Sequence, residues 1–121
     1  MNFQPRVENL PPADVEFLAS RHYVTKTVTI DASTVPADGN GDKILKAGTV
    51  LGKITASGLY GPYDPGAADG RETADCILLN SVNCRDGNQV AAAVTHGVVY
   101  EARVTGLDGQ AKQQLARIEF R

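Results

Sequence analysis

Strict alternation of apolar and polar residues first appears at position 23. Val24, Val28 and Ile30 fall on one side of the run 23–30, with Lys26 among them, and Tyr23, Thr25, Thr27 and Thr29 fall on the other. A period of two predicts a strand, and threonines suit its exposed or edge face. Next comes Lys46-Ala47-Gly48-Thr49-Val50-Leu51-Gly52-Lys53-Ile54. Here Val50 and Ile54 alternate with Leu51 and Lys53 across two short β runs. Gly48 and Gly52 punctuate them, and glycines among β-branched residues mark a bend, a bulge or a close backbone approach. Residues 74–83 form the following strand, and Ile77-Leu78-Leu79 is apolar on both faces, as in a buried strand. Arg85-Asp86-Gly87-Asn88 contains a strong hairpin dipeptide. Residues 89–105 then read as one long β region with a break at His96-Gly97. Asp108 is placed to cap a short helix from Gln110 to Ala116, in which Ala111 and Leu115 share a face. Ile118-Glu119-Phe120-Arg121 alternates again as a closing strand.

Between these elements, Asp31–Lys43 is a loop rich in Asp, Ser, Gly, Asn and Pro. Gly58–Gly66 is too dense in Gly and Pro to predict a regular element. Its large side chains are Tyr60 and Tyr63. Such rings either pack a loop onto its own domain or serve a protein interface, where tyrosine gives contact area at low entropic cost. Ala67–Glu72 is a polar turn.

Residues 1–20 stand apart from the rest. Pro5, Pro11 and Pro12 interrupt them, and no strand or helix period runs through, although Asp14–Ala19 can form one helical turn after Pro12. Phe3, Val7, Leu10, Val15, Phe17 and Leu18 are nonetheless scattered along the segment. An apolar arm of this kind needs a surface to cover, either its own domain or a partner. The chain thus divides into an arm, 1–20, and one domain, 21–121.

Composition supports a single globular unit. Of the 121 residues, 42% are hydrophobic and 21% charged, enough to build a core. With 12 Gly, 6 Pro, no Trp and many Val, strands and turns are favoured over helices. The net charge is −2 and the basic residues are scattered singly among carboxylates, which speaks against a nucleic-acid partner. No apolar run approaches the roughly 20 residues of a membrane span, and no secretory signal pattern opens the chain. Cys76 and Cys84, eight positions apart, would lie about 26 Å apart on one extended strand at ~3.3 Å per residue. They read as reduced thiols, Cys76 buried, in keeping with a reducing cytosol.

Reactive chemistry is sparse. No nucleophile elbow, P-loop or His-Glu-x-x-His motif occurs. Asp38, Asn40 and Asp42 alternate as calcium ligands do, but the sixth position is Lys43 and the twelfth is Thr49, where an EF-hand loop needs Gly and Glu. His22 and His96 are isolated in sequence, so zinc is not expected. Cys84 with His96 is a conceivable nucleophile and base, with Arg85 beside the thiol, but nothing in the sequence orients the pair. The chain is therefore expected to be no enzyme and to carry no cofactor or metal. One alternative remains from another class. Gly-Thr-Val-Leu-Gly-Lys-Ile resembles a phrase of lipoyl and biotinyl carrier domains, with Lys43 as the modified residue, although in those domains the lysine lies further upstream.

The order of elements carries more information. The strand Val24–Ile30, the turn Leu45-Lys46-Ala47-Gly48-Thr49-Val50-Leu51-Gly52-Lys53, Ala67-Ala68-Asp69-Gly70, the strand Ala74–Asn80, and Asp86-Gly87 before Val90–Val94 together resemble the head decoration proteins of tailed bacteriophages, the family that includes the lambda capsid decoration protein. The resemblance covers roughly residues 20–121. It implies a mostly β fold of the β-clip type, a bent ribbon closing into a small incomplete barrel with one or two short helices. It implies a structural role, as homotrimers on the outer surface of the expanded head at three-fold and quasi-three-fold positions, bracing the major capsid protein of a virion assembled in the host cytoplasm. The arm would meet the shell, which makes Phe3, Val7, Leu10, Phe17 and Leu18 the capsid-contact candidates. Tyr60 and Tyr63 are candidates for the trimer seam or an exposed cap.

Overall fold

The computed structural model describes residues 17–19 and 22–121. The first strand, β1, spans Val24–Ile30, and the alternation read from the sequence holds in its second half, where Val28 and Ile30 are buried and Thr27 is exposed. A 3-10 turn over Ala32–Thr34 follows, capped by the Asp31 carboxylate, which accepts from the Ser33 amide. Then come β2 (Ile44–Leu45), β3 (Val50–Lys53), β4 (Tyr60–Pro62), β5 (Ala74–Leu78), β6 (Val82–Asn83), β7 (Gln89–Val99), the helix α1 (Gly109–Gln114) and β8 (Ile118–Phe120).

Five strands close on themselves. β7 pairs antiparallel with β1 and β5, β5 with β3, and β3 with β4. The circuit closes at a single parallel bridge between Ile30 and Tyr60, with the Asp31 amide donating to the Tyr60 carbonyl at 2.8 Å. The result is a small mostly β barrel with one helix and isolated 3-10 turns. β8 lies outside the ring, parallel to the last three residues of β7.

Strand alternation sorts the apolar residues into two clusters on opposite faces of the same sheet. Val28, Ile30, Leu51, Tyr60, Cys76, Leu78 and Ala93 fill the barrel, together with Val35, Leu45 and Cys84. Val50, Ile77 and Val94 point outward and are roofed by Phe17, Ala111, Leu115, Ile118 and Tyr63. This is why Ile77-Leu78-Leu79 reads as apolar on both faces: each face has its own core.

Four expectations about elements are corrected. Gly58–Gly66 does contain a strand, β4, because Gly61 lets it lie where any Cβ would come within 2.6 Å of the Thr34 hydroxyl. The run 74–83 is two strands, β5 and β6, separated by a turn at 79–81. β7 runs on through His96-Gly97, and the expected break is a bulge just before it: Val24 opposes His96 and Thr25 opposes Val94, which leaves Thr95 without a partner in β1. Gly97 is instead a point of close approach, since a Cβ there would sit 3.0 Å from that of Tyr23, and the β region ends at Val99, giving way to a 3-10 turn over Glu101–Arg103. Within the proposed helical turn at 14–19, the described residues 17–19 are extended enough to bridge β7, with Leu18 opposite Val99. The helix near 110 and the closing strand lie where the sequence places them. Asp108 caps α1 by accepting from the Ala111 amide at 2.7 Å.

Candidate functional site

Among the described residues, those with chemical potential do not converge. Cys84 is fully buried within the barrel, whereas His96 is exposed opposite Val24 at the far end of β7. Burial raises the Cys84 thiol above its ordinary value, despite the nearby Lys43. The Arg85 guanidinium instead bonds the Asp42 carboxylate at 2.9 Å. Cys76 is pushed up to about 12, chiefly by burial and then by the charge of Asp75. Both thiols are free and buried. Among the described residues no three His, Cys, Asp or Glu side chains are grouped to hold a metal ion.

The loop of alternating Asp and Asn is a self-bonded turn. The Asp38 carboxylate accepts from the amides of Asn40 and Asp42, and the Asp38 amide donates to the Asp42 carbonyl. Lys43 lies beyond the tip of this turn, half-buried, with Nζ 3.4 Å from the Ala32 carbonyl. It is not displayed at a hairpin apex as a carrier lysine must be.

Tyr60 and Tyr63 are each 7% exposed and do not form an exposed cap. The Tyr60 ring is part of the barrel lining, and its hydroxyl accepts from Lys26 Nζ at 2.9 Å. The same ammonium lies 4.9 Å from the centre of that ring and pairs with Asp75. Asp75 can reach it because of a bulge: Leu51 opposes Cys76 and Gly52 opposes Ala74, leaving Asp75 without a partner and its side chain re-aimed. Burial alone would lower the Lys26 pKa, but the bonds to Asp75 and Tyr60 outweigh it and lift it above the usual range. Lys26 thus closes one mouth of the barrel with a charge that is satisfied. Tyr63 serves the outer cluster. Its hydroxyl lies 3.1 Å from both carboxylate oxygens of Asp108, tying the β4 loop to the start of α1.

Of the arm candidates, Phe3, Val7 and Leu10 lie outside the described residues. Phe17 is 3% exposed and belongs to the domain's own outer cluster, and Leu18 packs against that cluster. The Ala19 amide donates to the Val98 carbonyl, and the Tyr100 amide to the Phe17 carbonyl at 2.7 Å. The last residues before position 20 are therefore a short third segment beside β7, opposite β8. Nothing in the local sequence signals this pairing, because Pro12 lies upstream and the segment has no period of its own.

What sequence reasoning missed is the surface above that segment. In β7 the residues Gly97 and Val99 face the core, so His96 and Val98 face outward. Glu119 sits beside Val98 in the parallel register with β8. Together with His22 and Arg117 these residues line a shallow hollow of about 480 Å³. The exposed Val24 lies opposite His96 at one end of it.

A barrel packed to its axis, buried thiols with raised pKa values and scattered histidines describe a scaffold with contact surfaces. No curated protein matches the chain significantly. The family model described as bacteriophage lambda head decoration protein D matches residues 10–119, nearly the whole chain and all of the barrel. The chain therefore belongs to the bacteriophage lambda head decoration protein D family, whose role is structural and whose place is the phage head.

Proposed function

We propose that this protein cements the phage head, binding the outer surface of the expanded shell as a homotrimer at three-fold and quasi-three-fold sites and bridging copies of the major capsid protein. The observation that carries the reading is the family match across residues 10–119. The packing of the chain agrees with it, since the described residues hold contact surfaces and no convergent reactive groups. Residues 1–16 act as the shell-docking arm, with Phe3, Val7 and Leu10 supplying apolar contacts. Phe17 and Leu18 act differently from the other candidates: they anchor the arm to the domain. Three arms on one trimer raise the effective concentration of each at a matching three-fold site, so weak single contacts add up to firm attachment.

The test uses purified expanded heads and the full-length protein. Co-sedimentation should show saturable binding with a stoichiometry in multiples of three per three-fold site. Deletion of residues 1–16 should abolish binding while the circular-dichroism spectrum and thermal midpoint stay near those of the full chain. A truncated protein that still decorates heads would remove the arm from the mechanism.

A further inference from the structure

Two β-bulges converge on one place. In the pairing of β3 with β5 the extra residue is Asp75, and in the pairing of β1 with β7 it is Thr95. No other pairing among the described strands shifts register. Both bulged residues line the same hollow of about 310 Å³, together with Lys26, Gln114 and Arg117. A bulge gives up ladder hydrogen bonds and re-aims a side chain. Two that re-aim toward one hollow mark a built position.

The polar groups of this hollow are chiefly donors with protons to spare. Lys26 Nζ carries three protons. One goes to Asp75 and one to the Tyr60 hydroxyl, which leaves the third uncommitted. The Gln114 side-chain oxygen accepts from the Ala74 amide at 2.8 Å, so Nε2 keeps two protons without a partner among the described residues. Arg117 is exposed, and its guanidinium has neither ion pair nor hydrogen bond among the described residues. Thr95 uses its hydroxyl proton on the Val24 carbonyl at 3.2 Å. The one carboxylate of the hollow, Asp75, is neutralised by the Lys26 ammonium. Arg117 therefore leaves the lining with one net positive charge. Leu115 and Ala116 supply an apolar wall.

We propose that this hollow is a binding site for an aliphatic carboxylate. The Arg117 guanidinium takes the two oxygens side by side, and the spare protons of Gln114 and Lys26 complete the donor set. Charge selects the class: one net positive charge matches a carboxylate and leaves a phosphate dianion half-compensated. The wall of Leu115 and Ala116 accommodates a short methylene stem. Two of the three donor side chains are already held by the protein, Lys26 by Asp75 and Tyr60, and Gln114 by Ala74. Little side-chain entropy therefore opposes binding. The carboxylate belongs either to a small molecule or to an Asp or Glu side chain of another protein.

The experiment follows the N–H resonances of the full-length protein while sodium acetate is titrated at constant ionic strength, with chloride as the balancing anion. The Gln114 side-chain amide and the Arg117 Nε–H should shift along a saturating curve, with a dissociation constant of millimolar order. Inorganic phosphate at the same ionic strength should bind more weakly. Gln114→Glu keeps an oxygen acceptor for the Ala74 amide but replaces the donors with a second charged oxygen. It should abolish saturation while the Ala74 amide keeps its hydrogen-exchange protection. Arg117→Ala should weaken acetate at least about tenfold, with a thermal midpoint near that of the parent because the side chain is exposed. Arg85→Ala, whose guanidinium is paired with Asp42, should bind as the parent does. Shifts that rise linearly with acetate, or that chloride or phosphate reproduce, would overturn the proposal. So would parental acetate binding by both Gln114→Glu and Arg117→Ala. Co-sedimentation with expanded heads then separates the two sources. Loss of head binding by both variants, with competition by acetate in the parent, assigns the carboxylate to a protein side chain on the head. Normal head binding by variants that no longer take acetate assigns it to a small molecule. The titration is read without heads, so a parent protein that failed to bind heads would overturn the decoration reading and leave this test intact.

Discussion

The two apolar clusters lie back to back on one sheet and differ in how they are held. The inner one is enclosed by five strands, and most of its members belong to the hydrogen-bonded ring. Its closure is weakest between β1 and β4, where one bridge completes the circuit, and Lys26, Tyr60 and Asp75 form a polar plug at one mouth. The outer cluster has the sheet on one side only. Its roof is assembled from pieces distant in sequence: Phe17, Tyr63, the helix residues Ala111 and Leu115, and Ile118 of β8. Few backbone bonds join those pieces to one another. The inner cluster should therefore govern whether the domain folds, and the outer one whether the arm and the final segment stay attached.

The largest effect should come from the inner cluster. Leu51 is fully buried, and Leu51→Ala removes contacts on all sides, for a loss of about 3–4 kcal/mol. Urea titration should show a lower midpoint with an unchanged slope, as for one cooperative unit. A loss below about 1 kcal/mol would mean that the barrel interior is not the main source of stability.

Phe17→Ala should cost slightly less, about 3 kcal/mol, and its effect should be local. Hydrogen exchange should accelerate at the Ala19 and Tyr100 amides, which bond across the root of the arm. Amides between β1 and β7 should keep their protection. Equal acceleration everywhere would show that the two clusters open together and that the division drawn here is wrong.

The smallest effect sharpens the comparison by pH. Cys76, inside the barrel, has its thiol pushed up to about 12 by burial, whereas an unfolded thiol ionises near 8.5–9. Its folded pKa is the higher one, so the contribution is complete below about pH 9 and is lost as pH rises toward 12. At pH 10 the loss is roughly 1.4 kcal/mol. Cys76→Ala should have a flatter stability profile between pH 8 and 10.5, measured by denaturant midpoint. An identical slope in both proteins would mean that the thiol ionises freely in the folded state.

The sequence carried the period-two stretches well. β1, the start of β5, the helix cap at Asp108 and the closing strand could all be read from alternation and turn chemistry. It missed the strand at Tyr60–Pro62 and left Tyr60 and Tyr63 open between packing on their own domain and serving an interface, because a segment rich in Gly and Pro looks irregular until a neighbouring loop is seen to need its glycines. At Gly97 the irregularity was legible but not its form, a bulge at Thr95 beside a close approach to Tyr23. The buried ends of the arm were visible only as scattered apolar residues, which have the same pattern whether they cover a partner or their own domain.

Local chemistry alone determined which segments extend, where the chain turns and that no catalytic signature is present, because alternation, capping and turn residues act over a few positions. The pairing of Phe17–Ala19 with β7, the bulge that turns Asp75 toward Lys26, and the meeting of His96, Val98, Arg117 and Glu119 around one hollow were decided by the tertiary structure. Those arrangements depend on contacts between residues tens of positions apart, and no short-range preference encodes them.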